Sequence, residues 1–288
     1  MSILIADGGA TSTSWAVVKG NDHQIVRTSG LNPTLKVDAE IESVIFDELS
    51  LLINSSLVSE VYFYGAGCDE FKNSNRIKRI LSEAFRKAEI TVKPDIEGAG
   101  IALFANQTGI VVISGTGSSA GFMHEGSLVD IMPSKSYPAG DFGSGAHIGS
   151  LILKDFFVDE VPVEIKELIQ ARRRLSIDEL FVQFQDPMKS KLIASKALTD
   201  VITSAEFDKP MHQEYLKRLV FEAIEPLFDQ LKHHFKNALA QQSLRFVGGT
   251  VAVFEHHFRE YFRTKGLIID KIERTPINGL IEFHQTHD

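Results

Sequence analysis

The stretch LIADGGATSTSW (residues 4–15) ends an apolar run on Asp7, the first carboxylate of the chain, and follows it with glycines and small hydroxyl residues. The apolar residues predict buried strands over 2–6 and 14–18, and residues 23–28 alternate as a third strand. Three strands joined by short turns form an antiparallel meander. Glycine lets the backbone approach a ligand, and consecutive N–H groups in such a turn form a concave site for anions. The turn after Asp7 is therefore a candidate site for phosphate oxygens.

The composition excludes several classes of protein. With 288 residues and 43% hydrophobic content the chain is long enough for two cores, because single cores seldom grow beyond roughly 250–300 residues. A net charge of −8 argues against a nucleic-acid-binding surface, so small molecules are the expected partners. The single Cys68 rules out an internal disulfide and suits a reducing compartment. Because no leader pattern or long apolar run is present, we expect a cytoplasmic protein without membrane contact.

The order of the predicted elements indicates a duplicated fold. After the meander come helices and strands in the order α-β-α-β-α as far as residue 105, and a second strand, glycine turn and meander begin at Gly109. This order is typical of a ribonuclease-H-like layer, an α/β sheet that mixes antiparallel and parallel strands. We therefore expect two ribonuclease-H-like lobes, 1–108 and 109–288, with a cleft between them. The last helix, predicted from Pro276, is free to pack back on the first lobe.

Four glycine-rich turns recur along the chain. They are DGGATST (7–13), GTGSS (115–119), GDFGSG (140–145) and GGT (248–250). A single turn of this kind is most often an ordinary tight turn, and the dinucleotide G-x-G-x-x-G and P-loop patterns are absent. The ordered set of four is the informative signal.

The segments that contain these turns resemble a known family. LIADGGATSTSWAVV (4–18), VVISGTGSSAGF (111–122), AGDFGSGAHIG (139–149) and RFVGGTVAVF (245–254) look, in that order, like its phosphate-1, phosphate-2, sugar and adenosine segments. The family is the N-acetylglucosamine kinase group of the BadF/BadG/BcrA/BcrD ATPases, within the superfamily of sugar kinases, actin and heat-shock ATPases. The similarity extends over nearly the whole chain, to the ending TPINGLIEFH (275–284).

The resemblance implies ATP and Mg²⁺ as cofactors, with the nucleotide and the sugar in the cleft. Asp7 would orient the metal through water, which suits an ion that keeps several waters and needs few carboxylates. The residues that would hold ATP and its phosphates are Asp7, Gly8, Gly9, Thr11, Ser12, Thr13, Gly115, Thr116, Gly117, Ser118, Gly248 and Gly249.

The segment PDIEGAGIAL (94–103) supplies the candidate catalytic base. It resembles the family's D-x-x-G-A segment, which assigns the role to Asp95. Glu97 lies two residues further along and is the alternative, because a nearby carboxylate can also accept a proton. A third interpretation is that one of the two carboxylates caps the helix predicted over 98–105.

The sugar contacts implied by the resemblance are less regular. They are Asn32, Asp95, Asp141, Ser134, Lys135 and Ser136. Asn32 before Pro33 also fits an ordinary turn, and Asp141 also fits a loop aspartate. The chain has Phe142 where the family motif GDEGS has glutamate, residues 134–136 where the group often has GWG, and Ala10 and Ser12 in place of a glycine and a lysine. The sugar pocket is therefore expected to be altered.

The resemblance implies an enzyme that transfers the γ-phosphate of ATP to the 6-hydroxyl of an N-acetylated amino sugar, with N-acetylglucosamine first. N-acetylmuramic acid, with Lys135 facing its carboxylate, and glucosamine are alternatives. An ATPase that energises electron transfer is a further class, but its iron–sulfur cluster needs more than the single Cys68. A sugar-sensing protein without turnover also stays open. A homodimer is compatible with the family.

Overall fold

The structure is a computed structural model that describes residues 2–133, 135–187 and 189–286. Its strands are β1 Ser2–Gly8, β2 Ser12–Lys19, β3 Asp22–Ser29, β4 Val58–Gly65, β5 Glu89–Pro94, β6 Gly109–Ser114, β7 Ser118–His124, β8 Ser127–Ile131, β9 Ser243–Val247 and β10 Lys271–Glu273. Its helices are α1 Asp38–Ser43, α2 Ser50–Leu52, α3 Phe71–Ala84, α4 Asp95–Phe104, α5 Gly145–Phe157, α6 Val163–Arg173, α7 Ile177–Gln185, α8 Ser190–Ile202, α9 Pro210–Phe235, α10 Ala238–Gln241, α11 Gly249–Val253, α12 Glu255–Thr264 and α13 Ile277–Thr286. A π-helical segment, Val44–Leu49, joins α1 to α2, and a 3₁₀ turn, Ser55–Leu57, precedes β4.

The two sheets have the same connectivity, which confirms the predicted duplicated α/β fold. In the described chain, one five-stranded sheet has the order β3-β2-β1-β4-β5 and the other the order β8-β7-β6-β9-β10. Strand β1 pairs antiparallel with β2 and parallel with β4, while in the other sheet β7 pairs antiparallel with β8 and β9 pairs parallel with β10. Both sheets are therefore mixed, as the ribonuclease-H-like pattern predicts.

The opening meander is fixed by its buried aromatic residue. Trp15 on β2 is fully buried, lies 5.8 Å from the Phe63 ring on β4, and donates from Nε1 to Thr28 Oγ1 on β3 at 2.9 Å. Burying an aromatic side chain of this size contributes on the order of 1.5–3 kcal/mol. Trp15 thus ties β2 to β3 and β4, and in the adjoining β1–β2 pair residues 8 and 13 lie opposite each other.

The chain forms two compact units that interleave in sequence. Unit 1 comprises Met1–Val111, Gly121–Ile131 and Thr275–Asp288, and unit 2 comprises Val112–Ala120 and Met132–Arg274. Within unit 1, helix α13 packs on α4 and on strands β1 and β2. The boundary at residues 108 and 109 stays a prediction about where the second copy of the fold begins. Among the described residues, no helix combines the length and apolar character that a membrane crossing requires.

Candidate functional site

The carboxyl ends of the unit 1 strands bring two predicted site residues to one edge. Gly8 on β1 pairs with Gly65 on β4, and Gly65 pairs with Pro94 on β5, so three strand ends form one row. Asp7 immediately precedes this row and Asp95 immediately follows it. The carboxyl edge of parallel strands is the usual position of ligands in open α/β sheets. The structure therefore brings Asp7 and Asp95 together, as the proposed roles require.

Asp7 is a carboxylate whose neighbours in the described part of the chain include no cation. Burial, reinforced by the negative charge of Asp95, raises the pKa of Asp7 from 3.8 to about 6, although Thr275 Oγ1 donates to Asp7 Oδ2 at 3.3 Å and opposes the shift. Two mutually repelling carboxylates in a protected place favour the binding of a cation. The sequence interpretation missed Thr275, because no turn or motif pattern links it to Asp7.

The residues around Asp7 fit a magnesium ion bound with phosphate. Thr13 Oγ1 on β2 is fully buried and has no hydrogen-bond partner among the residues that the structure describes. The same part of the chain contains no group of three or more His, Cys, Asp or Glu side chains arranged to hold a metal. Mg²⁺ commonly binds through one or two carboxylates, waters and substrate phosphates. Asp7 beside the glycine turn is compatible with that chemistry, whereas the described residues form no all-protein metal site.

The turn that follows Asp7 is closed by its own backbone. Gly9 N–H donates to the Ser12 carbonyl at 3.0 Å, and Leu31 N–H donates to the Gly9 carbonyl at 3.1 Å. A Cβ at Gly9 would lie 2.9 Å from the same Ser12 oxygen, so glycine is needed for the tight turn. The turn therefore holds residues 8–13 in a fixed hairpin, where Thr11 and Ser12 are exposed at its tip.

Asp95 and Glu97 lie in the first turn of α4 but have different surroundings. The predicted helix over 98–105 begins earlier, at Asp95, because Pro94 is its N-cap. Asp95 Oδ1 accepts from Ile96 N–H at 2.8 Å, and the positive end of the helix stabilises a carboxylate there. Glu97 instead pairs with Lys93 at 3.1 Å. The structure thus places Asp95 beside Asp7 and gives Glu97 a cationic partner of its own.

Asn32 lies at the same edge of unit 1, beside the loop that follows β4. Its Oδ1 accepts from Thr34 N–H at 2.9 Å and from Thr34 Oγ1 at 2.6 Å, which is the turn function considered above. A Cβ at Gly67, where φ is +77°, would lie 2.5 Å from that oxygen. The oxygen of Asn32 is therefore used within its own turn, and a sugar contact of this residue stays a prediction. The neighbouring Cys68 is buried, and burial together with the charge of Asp95 raises the pKa of its thiol to about 12.

In unit 2 the GTGSS turn is supported by the starts of two helices. Gly145 N–H at the start of α5 donates to the Gly115 carbonyl at 2.8 Å, and Ala146 N–H donates to the Thr116 carbonyl at 3.2 Å. Thr250 Oγ1 in α11 also donates to the Gly115 carbonyl, at 2.8 Å. The GDFGSG and GGT motifs thus hold the GTGSS turn in place.

The glycines of these unit 2 turns differ in whether their surroundings would exclude a side chain. Gly248 has φ +137°, and a Cβ there would collide with the Ser114 carbonyl oxygen. At Gly115 and Gly249, by contrast, a Cβ would meet no atom within 4 Å and no positive φ requires glycine. Bare backbone that faces open space suits close approach of a ligand. These two positions therefore support the predicted nucleotide contacts.

Asp141 joins the sugar-loop segment to the GTGSS turn. It is 6% exposed, has φ +58°, and accepts from Ser118 N–H and Tyr137 N–H at 2.9 Å each and from Lys191 Nζ at 2.7 Å. These donors occupy both carboxylate oxygens, so the structure shows a loop-fixing role, and a direct sugar contact stays a prediction. The Ser118 N–H is directed to Asp141 rather than toward a phosphate.

The remaining predicted sugar residues belong to the loop that precedes Asp141. Lys135 and Ser136 are exposed, and Ser134 lies outside the described residues. Phe142, which replaces the family glutamate, packs edge-on against His147 with ring centroids 5.2 Å apart. Burial lowers the pKa of His147, so this pair is neutral at pH 7 and adds no charge to the loop.

No protein-family model matches the sequence. No curated protein matches it either. Solved structures do match: a proposed N-acetylglucosamine kinase from Porphyromonas gingivalis superposes with a TM-score of 0.86 at 24% identity, over 99% of each chain. A second proposed N-acetylglucosamine kinase, from Chromobacterium violaceum, gives 0.70 at 14% identity over 98% of each chain. A ROK family glucokinase from Streptomyces griseus, solved with glucose and AMPPNP, gives 0.61 at 14% identity over 98% of each chain. The chain therefore has the fold shared by sugar kinases and actin-like ATPases.

Proposed function

We propose that the protein is a sugar kinase that transfers the γ-phosphate of ATP to a sugar hydroxyl. The observation that carries the proposal is the pairing of Asp7 with Asp95 at the carboxyl edge of the unit 1 sheet. Asp7 has an unmatched charge that suits Mg²⁺, and Asp95 is fixed at the start of α4 by Ile96 N–H. Phosphoryl transfer needs a metal-bound phosphate and a residue that accepts the proton of the attacking hydroxyl. These two carboxylates are suited to those tasks.

The assignment of the base to Asp95 follows from the partners of the two neighbouring carboxylates. Glu97 is paired with Lys93, and proton transfer to a carboxylate already neutralised by a cation is less favourable. Asp95 lies near Asp7 and Cys68, since its charge raises the pKa of both groups. Asp95 is therefore the carboxylate that would accept the sugar proton, while bound Mg²⁺ would offset the charge of the phosphates.

The unit 2 turns supply the features that a nucleotide requires. Gly115 and Gly249 face open space, where adenosine and phosphate can contact the backbone closely. The carbonyls of Gly115 and Thr116 are already bonded to the starts of α5 and α11. The solved glucokinase with the same fold holds AMPPNP and glucose, which supports ATP as the phosphate donor.

For the acceptor we propose the 6-hydroxyl of an N-acetylated amino sugar, first N-acetylglucosamine. The motif resemblance and the two similar structures described as proposed N-acetylglucosamine kinases support this choice. On the protein side, we propose that the NH₂ group of Asn32, whose Oδ1 already accepts from Thr34, donates to an oxygen of the sugar. The neutral Phe142–His147 pair gives unit 2 an apolar contact instead of the family carboxylate.

The test is ADP formation with Mg·ATP and a panel of N-acetylglucosamine, N-acetylmuramic acid, glucosamine and glucose. We expect turnover that depends on an N-acetylated sugar, with a 6-phosphate product identified by ³¹P NMR. The Asp95→Asn variant should lose roughly 10²- to 10⁴-fold in kcat, because it removes a general base. Its affinity for Mg·AMPPNP should remain close to that of the native chain.

The matched control is Glu97→Gln, which removes the other carboxylate of the same helical turn. It should keep most of the turnover, because Glu97 faces Lys93. ATP hydrolysis without any sugar would point to an energising ATPase. Binding of a sugar without turnover would point to a sensor, and a fully active Asp95→Asn would contradict the catalytic assignment.

A further inference from the structure

A lysine ammonium, that of Lys191, lies beside the GTGSS turn of unit 2. Lys191 does not belong to any of the glycine-rich motifs. Lys191, the second residue of α8, places Nζ 2.7 Å from Asp141 Oδ2. A Cβ at Gly117, the central glycine of the turn, would lie 3.1 Å from this Nζ and 2.6 Å from Asp141 Oδ1. The Lys191–Asp141 pair thus occupies the space next to Gly117 that a side chain would take, so the ammonium is held directly against the turn.

Close packing of two helices brings Lys191 to this position. A Cβ at Gly149 on α5 would collide with the Ala194 carbonyl oxygen on α8, so glycine allows the two helices to touch. Helix α5 begins under the GTGSS turn, where Gly145 N–H donates to the Gly115 carbonyl. Because α8 lies against α5, the N-terminal residues of α8 lie beside the same GTGSS turn.

A lysine in this position is electrostatically unusual. The first turn of a helix carries a partial positive charge that repels cations. No acidic residue of α8 lies in that first turn to offset it. Asp141 supplies one compensating charge, but its two oxygens also accept from Ser118 N–H and Tyr137 N–H. An additional anion at the turn would stabilise the ammonium further.

The proposed phosphate turns contain no cation within their own residues. Residues 115–119 contain no lysine, arginine or histidine, and neither do residues 7–13, where Asp7 adds a negative charge. The β- and γ-phosphates of ATP carry several negative charges that a kinase must offset. Among the described residues, Asp141 is the one partner of the Lys191 ammonium, which leaves donors for a phosphate oxygen.

We propose that Lys191 is a phosphate-binding residue that contacts the β- or γ-phosphate of the bound nucleotide at the GTGSS turn. Asp141 positions it, and Gly117 leaves room for it. This inference rests on the proposed function in one respect, that the nucleotide binds at this turn. The proposal adds Lys191, which lies outside the glycine-rich motifs, to the residues expected to bind phosphate.

The test compares Lys191→Gln and Lys191→Met by isothermal titration with Mg·AMPPNP, Mg·ADP and AMP. Glutamine can still donate a hydrogen bond to Asp141 but carries no charge, whereas methionine removes both. We expect both variants to raise the Kd for AMPPNP roughly 10- to 100-fold, because each loses a charge-assisted hydrogen bond. The Kd for AMP, which lacks the β- and γ-phosphates, should change little.

The matched control is Lys189→Gln, two residues earlier. Lys189 is 61% exposed and pairs only with Asp186 among the described residues, at 3.4 Å, so its variant should bind all three nucleotides normally. Native AMPPNP affinity in Lys191→Gln would overturn the proposal and leave a loop-fixing role. An equal loss for AMP and AMPPNP would also overturn it, since that indicates distortion of the turn. Because binding is measured without sugar, absence of sugar phosphorylation would count against the proposed function and not against Lys191.

Discussion

Two of the glycine turns, the one after Asp7 and the GTGSS turn, lie beside carboxylates in opposite electrostatic environments. In unit 1, Asp7 ends a strand beside Asp95 and has a pKa raised to about 6 by burial and by that neighbour. In unit 2, Asp141 lies beside the GTGSS turn with two backbone N–H donors and the Lys191 ammonium. Among the residues that the structure describes, Asp7 has no cationic partner, whereas Asp141 is paired with Lys191. The first arrangement is suited to a metal ion, and the second is suited to fixing a loop.

The different environments of Asp7 and Asp141 indicate different roles, binding a ligand for Asp7 and stabilising the fold for Asp141. A group that is destabilised in the folded protein persists where a ligand uses it, and perturbed carboxylates of this kind cluster at functional sites. A group whose hydrogen-bonding capacity is filled within its own unit contributes to stability instead. Removing the charge of Asp7 and of Asp141 should therefore change stability in opposite directions.

Of the two charge removals, Asp7→Asn has the larger expected effect. Activity with Mg·ATP should fall about 10- to 100-fold, because the carboxylate proposed to orient the metal through water is lost. Without ligand, the variant should be more stable than the native chain above pH 6. The pKa of Asp7 is about 6 in the folded protein and near 3.8 when unfolded, so ionisation opposes folding increasingly as pH rises from 4 through 6. The gain should reach roughly 1–3 kcal/mol, measured by urea unfolding at pH 4 and pH 8.

The counterpart is Asp141→Asn, which should lose roughly 1–3 kcal/mol of stability at pH 8. Asparagine tolerates the positive φ of this position, so backbone strain is not the cause. What changes is the charge that pairs with Lys191 and the acceptor capacity for Ser118 and Tyr137. Equal signs for the two asparagine variants would show that the two carboxylates are not in the different environments described above.

A second, smaller effect distinguishes adjacent glycines. Gly249→Ala should leave the melting temperature unchanged, because its Cβ would meet no atom within 4 Å. It should raise the Kd for AMPPNP by about tenfold if the nucleotide needs that space. Gly248→Ala should instead destabilise the protein by at least about 1–3 kcal/mol, since its φ of +137° and the Ser114 carbonyl both exclude a side chain.

Thermal unfolding and isothermal titration with Mg·AMPPNP on Gly248→Ala and Gly249→Ala measure these two effects. Gly115→Ala is the matched test in the GTGSS turn, where a Cβ also faces open space. Unchanged nucleotide affinity in both Gly115→Ala and Gly249→Ala would argue that these glycines do not face the ligand.

The sequence predicted the repeated strand order, the glycine turns and the place of Asp95 because each leaves a local pattern. Strand alternation and helical spacing are read from neighbouring residues, and Asp95 directly follows a strand. The structure begins α4 three residues earlier than expected, since Pro94 serves as its cap. Thr275 and Lys191 could not be found in this way. Thr275 contacts Asp7, 268 residues away in sequence, and Lys191 contacts Asp141, 50 residues away. Such contacts depend on tertiary packing, which the spacing of residues in a single sequence does not encode.

The smallest expected effect concerns Thr13, whose buried hydroxyl has no partner in the described chain. Thr13→Val replaces it with a methyl group of similar shape, so an unsatisfied donor is removed and stability should stay the same or rise by up to about 1 kcal/mol. If the hydroxyl instead contacts a phosphate, the KM for ATP should rise several-fold while the KM for the sugar stays constant. Thr28→Val is the control, because Thr28 already bonds Trp15 within the meander and should lose stability without any change in the KM for ATP. An unchanged KM for ATP in Thr13→Val would assign this hydroxyl to packing and leave the phosphate contacts of unit 1 to the turn backbone.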